Sequence, residues 1–403
     1  MIKRISFLLL FLSITLSGFN QSKNIQNAYN AYKQTDRDGV RTDLKKAKEY
    51  IDLAFEHEST SNEAKMWNYR SKIYLEITLN QPELDKDAVF KATEAHIRCL
   101  DRDKKGRFAV RKWTSEDEVL DGLVKCGFNL FNSGVDDYNN GEYGNAIKKY
   151  EEIFKLIPLD KNDHLKRANI VPQSIYNNLF LASLRLEDTK SQIKYLKKSI
   201  DLNVNDPQIY INLSNIYSKQ GDFDKALNYI KLGQDMFDSD MTLINTEIDL
   251  LMKMGKSEVE IIEKLSEAID LDNFNELLFI IRSQMYVSIG SINEAEKDLL
   301  NALELDPSSS IIYNNLASLY LSMTEPIVDE LNKTDYRKKS KVTELENEIE
   351  SLHKKALPHL EEYISIKESK GEQDKSALNT LATIYYSLGM ETKSIETRNK
   401  IKD

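Results

Sequence analysis

Five histidines, two cysteines and a surplus of carboxylates are the residues of this chain with the reactivity for catalysis or metal binding. A helical zinc site places two histidines four residues apart so that both project from one face. His57, His96, His164, His353 and His359 contain no such pair, and His353 and His359 lie six apart on different helix faces. Cys99 and Cys126 have the wrong spacing for a CxxC redox pair or a zinc clasp. They are either one disulfide of an oxidising compartment or two small thiols buried where helices touch. Adjacent carboxylates such as Glu151-Glu152 and Glu361-Glu362 read as solvated surface. There is no GxSxG, phosphate-binding loop, GxGxxG or HExxH segment. A Ser/His/Asp set needs only to meet in space, but no spacing nominates one. The residues therefore point to no catalytic group, no metal and no cofactor, and to a protein that is not an enzyme.

The elements that would carry any site are helices. Only 14 Gly and 7 Pro occur in 403 residues, and 30% of residues are charged. That balance favours long helices over strands and tight turns. A chain this long exceeds a single compact core, which stops growing near roughly 250–300 residues, so several domains or a repeat array are expected. The net charge of −10 excludes binding driven by nucleic-acid phosphates, which needs a basic stripe. Residues 1–20 read as a secretory leader: basic Lys3 and Arg4, an apolar run from Ile5 to Leu16, then Ser17-Gly18-Phe19-Asn20. The run is short of the roughly 20 apolar residues needed for a membrane span. No Cys follows it to take a lipid anchor, and no later segment is apolar enough to cross a bilayer. The expectation is an exported, soluble protein of the bacterial periplasm.

Beyond the leader the chain repeats itself. Tyr176-x2-Leu179 returns 34 residues later as Tyr210-x2-Leu213, and Tyr195 returns as Tyr229. Ala268 and Ala302, Tyr286 and Tyr320, and Gly221 and Gly255 keep the same interval. Each unit reads as two helices. Tyr210, Leu213, Ile216 and Tyr217 form one apolar face. Gly221 breaks the chain in a left-handed cap, and Phe223 opens a second helix that buries Ala226, Leu227 and Ile230. Small residues recur where helices must cross closely: Ala146, Ala226 and Ala295 in second helices, and Gly134, Ser214, Ser283 and Ala317 in first helices.

Trp67-x2-Arg70-Ser71-x2-Tyr74, Phe279-x2-Arg282-Ser283-x2-Tyr286, Tyr313-x2-Leu316-Ala317-x2-Tyr320 and Leu378-x2-Leu381-Ala382-x2-Tyr385 resemble the first half of the tetratricopeptide repeat. Asn145-Ala146-x3-Tyr150…Pro158 and Glu294-Ala295-x3-Leu299…Pro307 resemble its second half. Ala47-x3-Ile51-x2-Ala54 and Ala88-x3-Ala92-x2-Ala95 look like earlier second helices. About nine units fit, and the segment from Lys355 onwards looks like the end of exported repeat proteins of Bacteroidota. The resemblance implies an all-α fold, an α-solenoid of helix-turn-helix repeats. The organisation expected is a leader at 1–20, degenerate repeats at 21–126, a main array at 127–324, a charged helical insertion at 325–355 and a last repeat at 356–403. A loop at 161–172 and a basic loop at 101–117 interrupt the repeats. In the insertion Val342, Leu345, Ile349, Leu352 and Ala356 form a short heptad seam. It packs either on its own neighbour or on a partner, so self-association through 340–356 is an open reading.

The resemblance also implies where binding occurs, on the concave groove lined by first helices. By register this gives Phe128, Phe131 and Tyr138, then Asn177, Asn178 and Leu181, then Ile211, Asn212 and Asn215. Asn245, Asp249, Ile280, Gln284, Asn314 and Asn315 follow. An Asn amide both donates to and accepts from an extended peptide backbone, although Asn178, Asn212 and Asn315 equally fit local helix contacts. The groove lacks the lysines of the chaperone-tail clamp found in some members of the family. The function expected is a protein-interaction scaffold of the cell envelope that holds a protein or peptide partner. The alternative is a carrier of a small molecule, lipid or glycan.

Overall fold

The computed structural model describes residues 22–402, so the leader lies outside the described residues. Its chain divides at Asn205/Asp206 into two compact units. Both are built from antiparallel helix pairs, nine among the described residues. Thr35–Arg41 and Arg102–Phe108 make isolated bridges. No helix among the described residues is long and apolar enough to cross a membrane.

Unit 1 pairs α1 (22–32) with α2 (Leu44–Glu56), and α3 (Ala64–Asn80) with α4 (Ala88–Cys99). It continues with α5 (Glu116–Asn139) and α6 (Tyr143–Ile153), then a single turn, α7 (His164–Arg167), and the pair α8 (Pro172–Arg185) and α9 (Thr189–Asp201). Ala47, Ile51 and Ala54 of α2 and Ala92 and Ala95 of α4 are fully buried, as their spacing requires of second helices. Cys99 and Cys126 are free, buried thiols. Burial pushes both up to about 12, so they are inert packing residues.

The segments expected to project as loops in this unit are tied down. Phe108 and Val110 of the basic loop are buried. Its charges pair internally, Asp103 with Arg107 at 2.9 Å and Arg111 at 3.0 Å. Leu165 and Ile170 of the 161–172 insertion are buried, and a Cβ on Gly127 would lie 2.8 Å from Leu165. Glu116 joins the two segments, bonding Arg102 at 2.8 Å and Lys161 at 3.0 Å.

Unit 2 stacks α10 (Gln208–Lys219) with α11 (Phe223–Met236), α12 (Met241–Lys253) with α13 (Glu258–Leu271), and α14 (Glu276–Ser288) with α15 (Ile292–Leu305). Two long helices follow, α16 (Ser310–Lys333) and α17 (Lys339–Ser369), and then α18 (Lys375–Ser387) and α19 (Glu391–Lys402). Side-chain caps set many of the starts: Asp222, Asp240, Ser257, Asn275 and Asp374 each accept an otherwise orphaned N–H. Gly221 ends α10 in the left-handed region at φ 78°. In the repeat before it, Glu187 takes the same conformation at φ 56°, where a side chain is disfavoured.

Domain edges placed at 126/127, 324/325 and 355/356 fall inside the continuous helices α5, α16 and α17. The insertion is a pair of lengthened repeat helices. Leu345, Leu352 and Ala356 of its heptad seam are buried, and Val342 and Ile349 half-buried, with α17 packed along α16. The chain itself therefore consumes the seam offered for self-association. Pro358 lies within α17.

Crossing points are as tight as the small residues demand. Ala146, Ala226, Ala295, Ser214, Ser283 and Ala317 are all buried, and a Cβ on Gly134 would lie 2.8 Å from the Tyr150 ring. Ala226→Leu is expected to destabilise unit 2 by about 1–3 kcal/mol through overpacking. A urea titration followed by circular dichroism measures this, and an unchanged midpoint would place Ala226 away from a crossing.

Candidate functional site

The carboxylates that looked like loose surface do specific work between repeats. Asp52 of α2 accepts from the Tyr74 hydroxyl of α3 at 2.6 Å, Glu151 of α6 from Tyr195 at 3.1 Å, and Glu296 of α15 from Tyr320 at 2.7 Å. Glu361 of α17 accepts from Tyr385. A lysine lies over the ring each time: Lys91 on Tyr74, Lys194 on Tyr195, Lys355 on Tyr320, Lys393 on Tyr385. Burial and the neighbouring carboxylate raise all four phenols, so they stay protonated donors. Glu151, exposed as the sequence reading has it, thus links α6 to α9, and Glu361 links α17 to α18.

The histidines are spent singly and in different places. His57 bonds Ser59 at 2.8 Å and His164 bonds Arg167 at 2.9 Å. His353 meets Ser387 at 2.6 Å, while that hydroxyl donates to the Ile384 carbonyl. His359 stacks on Tyr320, and His96 is buried with Nδ1 at 2.8 Å from the Ala92 carbonyl. No group of three or more His, Cys, Asp or Glu among the described residues could hold a metal.

Of the residues assigned to the groove, two converge. Gln284 of α14 and Asn315 of α16 line one cleft of about 280 Å³ with Ser283, Val287, Leu299, Ser318, Leu319 and Ser322. Leu299, Leu319 and Ser283 are buried, Val287 is exposed, and Gln284, Asn315, Ser318 and Ser322 form the rim. Asn315 Nδ2 is shielded from solvent and has no hydrogen-bond partner among the described residues. A shielded N–H without an acceptor costs roughly 1–3 kcal/mol, so the site is short of one acceptor. Ser318, Leu319 and Ser322 follow Asn315 at helical spacing, a stripe legible in the sequence that the groove assignment missed.

The other groove positions scatter. Ile211 and Ile280 are buried core residues. First helices here are covered on several sides, and α14 buries Leu278, Phe279 and Ile280 in succession, which widens the apolar arc beyond one stripe. Phe128 and Phe131 are half-buried, with the Phe131 ring 6.1 Å from Tyr150. Tyr138 packs edge-on to Tyr143 and accepts from Arg185 at 3.4 Å. Asn177 is exposed, and Asn178 and Leu181 are half-buried. Asn212 accepts from Gln208 at 3.0 Å, and Asp249 pairs with Lys253 at 2.6 Å. Asn215 and Asn245 are exposed, and Asn314 is half-buried.

A larger cleft, about 790 Å³, opens in unit 1 between the start of α4 and α5–α6. Its charges already satisfy one another, Asp85 with Lys91 at 2.7 Å and Asp137 with Lys149 at 2.8 Å. Ser133 Oγ in its wall is shielded without a hydrogen-bond partner among the described residues, but the lining is rich in charged side chains. The smaller cleft in unit 2 sets its unpartnered amide over an apolar floor and is the better candidate.

The tetratricopeptide-repeat family model matches residues 207–236 and 278–309. A curated TPR repeat-containing protein of Methanocaldococcus jannaschii is 22% identical over 353 aligned residues. That alignment takes in 72% of this chain, and the chain spans 59% of the relative's length. Among solved structures, the crystal structure of MamA matches 48% of this chain and 89% of its own, at 20% identity and a TM-score of 0.36. YrrB, described as a TPR protein with an unusual peptide-binding site, matches 45% of this chain and 87% of its own, at 14% identity and a TM-score of 0.33.

Proposed function

We propose that this tetratricopeptide-repeat protein is a non-catalytic scaffold of the cell envelope, and that the α14–α16 cleft grips an extended segment of a partner protein. The observation that carries the reading is the shielded Asn315 amide above an apolar floor. When the half-buried Asn315 side chain turns towards the cleft, a peptide carbonyl supplies the acceptor that its amide lacks, and an aliphatic side chain of the same peptide fills the floor over Leu299 and Leu319. Gln284, exposed at the rim, both donates and accepts, as the edge of an extended backbone requires. The apolar run from Ile5 to Leu16 supports export and a periplasmic site of action. A carrier of a free lipid or glycan would call for an enclosed cavity, and about 280 Å³ is below the usual range for such pockets.

The test is a photo-reactive amino acid at Ser318, on the lip of the cleft, irradiated in the native cells. One dominant protein adduct is expected. Asn315→Leu should weaken its formation about tenfold or more, since one shielded hydrogen bond is worth roughly 1–3 kcal/mol. No adduct, or an adduct indifferent to Asn315→Leu and Gln284→Ala, would sink the reading.

A further inference from the structure

Unit 2 carries two exposed surfaces of opposite sign that its own packing leaves open. The first is the edge formed by turns that join one repeat to the next, at 237–240, 272–275 and 306–309. In a stack of helix pairs these turns fall on one side, about 10 Å apart. No Lys or Arg occurs in 232–252, 265–281 or 298–332. The middle turn instead brings Asp270, Asp272 and Glu276 together, none ion-paired among the described residues. Beside them Phe274 is 80% exposed, and Leu271 and Leu277 are 50% and 54% exposed. Side chains this apolar in the open are unusual on a free surface when contiguous.

The second surface is the tip of the α16–α17 hairpin. With 24 and 31 residues against 13 and 14 in the preceding pair, α16 overhangs α14 by about 16 Å at roughly 1.5 Å per residue. The tip holds Tyr336, 76% exposed, with the Arg337 guanidinium 5.7 Å from its ring centre. Lys341 is neutralised by Glu330 and Glu344. Lys333, Arg337, Lys338 and Lys339 form no ion pair among the described residues, and Asp335 is the one acid between Lys333 and Lys341.

The tip is a turn within a repeat, whereas the acidic edge is made of turns between repeats. Antiparallel pairs put these two kinds of turn on opposite sides of the stack, so one copy's tip faces away from its own acidic edge. We propose that the basic tip of one copy docks on the acidic edge of a second copy, Tyr336 seating against Phe274 and Leu277 while Arg337, Lys338 and Lys339 face Asp270, Asp272 and Glu276. The contact joins unlike surfaces, so it is head-to-tail and propagates into rings or filaments. It uses none of the buried heptad seam and leaves the α14–α16 cleft free.

Sedimentation velocity on the full chain over a wide concentration range tests this. Reversible growth beyond the monomer is expected at low salt, weakening as salt screens the exposed charges. Lys338→Glu with Lys339→Glu should reduce association at least tenfold, as should Asp272→Lys with Glu276→Lys. Carrying all four substitutions in one chain should restore it. Lys338 and Lys339 are exposed and Asp272 and Glu276 half-buried, and matching circular dichroism melts would show that the fold is intact. A chain that stays monomeric throughout, that associates equally with either reversal, or that is not rescued by the combined reversal overturns the assignment.

Discussion

Arg282→Met is expected to cost unit 2 about 3–5 kcal/mol, the typical penalty for stranding one member of a buried ion pair. Arg282 of α14 reaches Asp298 of α15 through two bonds of 2.7 Å, Nε to Oδ2 and a terminal nitrogen to Oδ1. Its remaining arm donates to Ser266 Oγ of α13 at 2.9 Å, so one guanidinium ties three helices across two repeats. Asp298 is almost completely buried. Without its partner it must stay charged in a poor solvent or take up a proton, and either course draws on the stability of the fold. Removing both charges with Arg282→Met and Asp298→Leu should recover most of the loss, because the Coulomb attraction of a buried pair does little more than offset its desolvation. Arg282→Lys should fall between, keeping the charge and losing the planar fork. Urea titrations with hydrogen exchange on α14 and α15 would measure the series. A single substitution costing under about 1 kcal/mol would mean that the pair is solvated and replaceable.

Arg282 also marks where sequence reading stops. Its place in the repeat is plain, since Arg70 and Arg282 occupy one position of the pattern, and small residues such as Ala226 and Ser283 announce the close crossings. The partners are silent. Arg70 reaches back to Asp52 at 2.6 Å on the preceding second helix, whereas Arg282 reaches forward to Asp298 on its own second helix. A position in the period thus identifies a side chain that needs an acid, while the acid's location depends on how two helices are rotated about their axes. The same ambiguity separated the groove candidates. Gln284 and Asn315 are one helix position from Ser283 and Asn314, about 100° of rotation, and errors of that size placed Ile211 and Ile280 at the groove when they belong to the core. The long helices left two readings open in sequence. Acidic and basic residues crowd 325–355, and the seam inside that stretch takes the reading in which it packs on its own neighbour, ordinary repeat packing extended outwards.

The joints between repeats explain why such a charged chain holds one register. Three tyrosine–carboxylate pairs, at Tyr74, Tyr320 and Tyr385, sit at equivalent steps, each joining a second helix to the first helix that follows it, while Tyr195 of α9 bonds back to α6. These interfaces are thus apolar at the centre and hydrogen-bonded at the margin. A slip of one residue would move every phenol away from its acceptor while burying the carboxylate. The arrangement favours a rigid frame on which the cleft of α14 and α16 is preformed, which is the property that a binding surface needs to avoid an ordering cost.

Acid should weaken unit 1 from about pH 6.5 downwards, and His96 is the reason. The ring is fully enclosed, and a Cβ on Gly122 would lie 2.1 Å from its Nε2, so helix α5 closes directly over it. Burial brings His96 down to about 4, helped by the charges of Lys72 and Lys125 and opposed by its bond to the Ala92 carbonyl. The unfolded chain takes up this proton near the ordinary value of 6.5, so between 6.5 and about 4 the unfolded state binds more protons than the folded one. Stability is therefore full above 6.5 and falls as pH drops, with the loss reaching about 3 kcal/mol near pH 4. Asp52 and Asp85 are held below the usual carboxylate value of 3.8, so their losses come later, in stronger acid. Hydrogen exchange of α4 and α5 amides, or urea midpoints for unit 1 taken at intervals from pH 7 to 4, should show this slope. His96→Leu should flatten it whatever its effect at neutral pH, because the proton site is gone. If the wild-type curve is flat over that window, or the slope survives in His96→Leu, the enclosed ring is not the group that acid finds first.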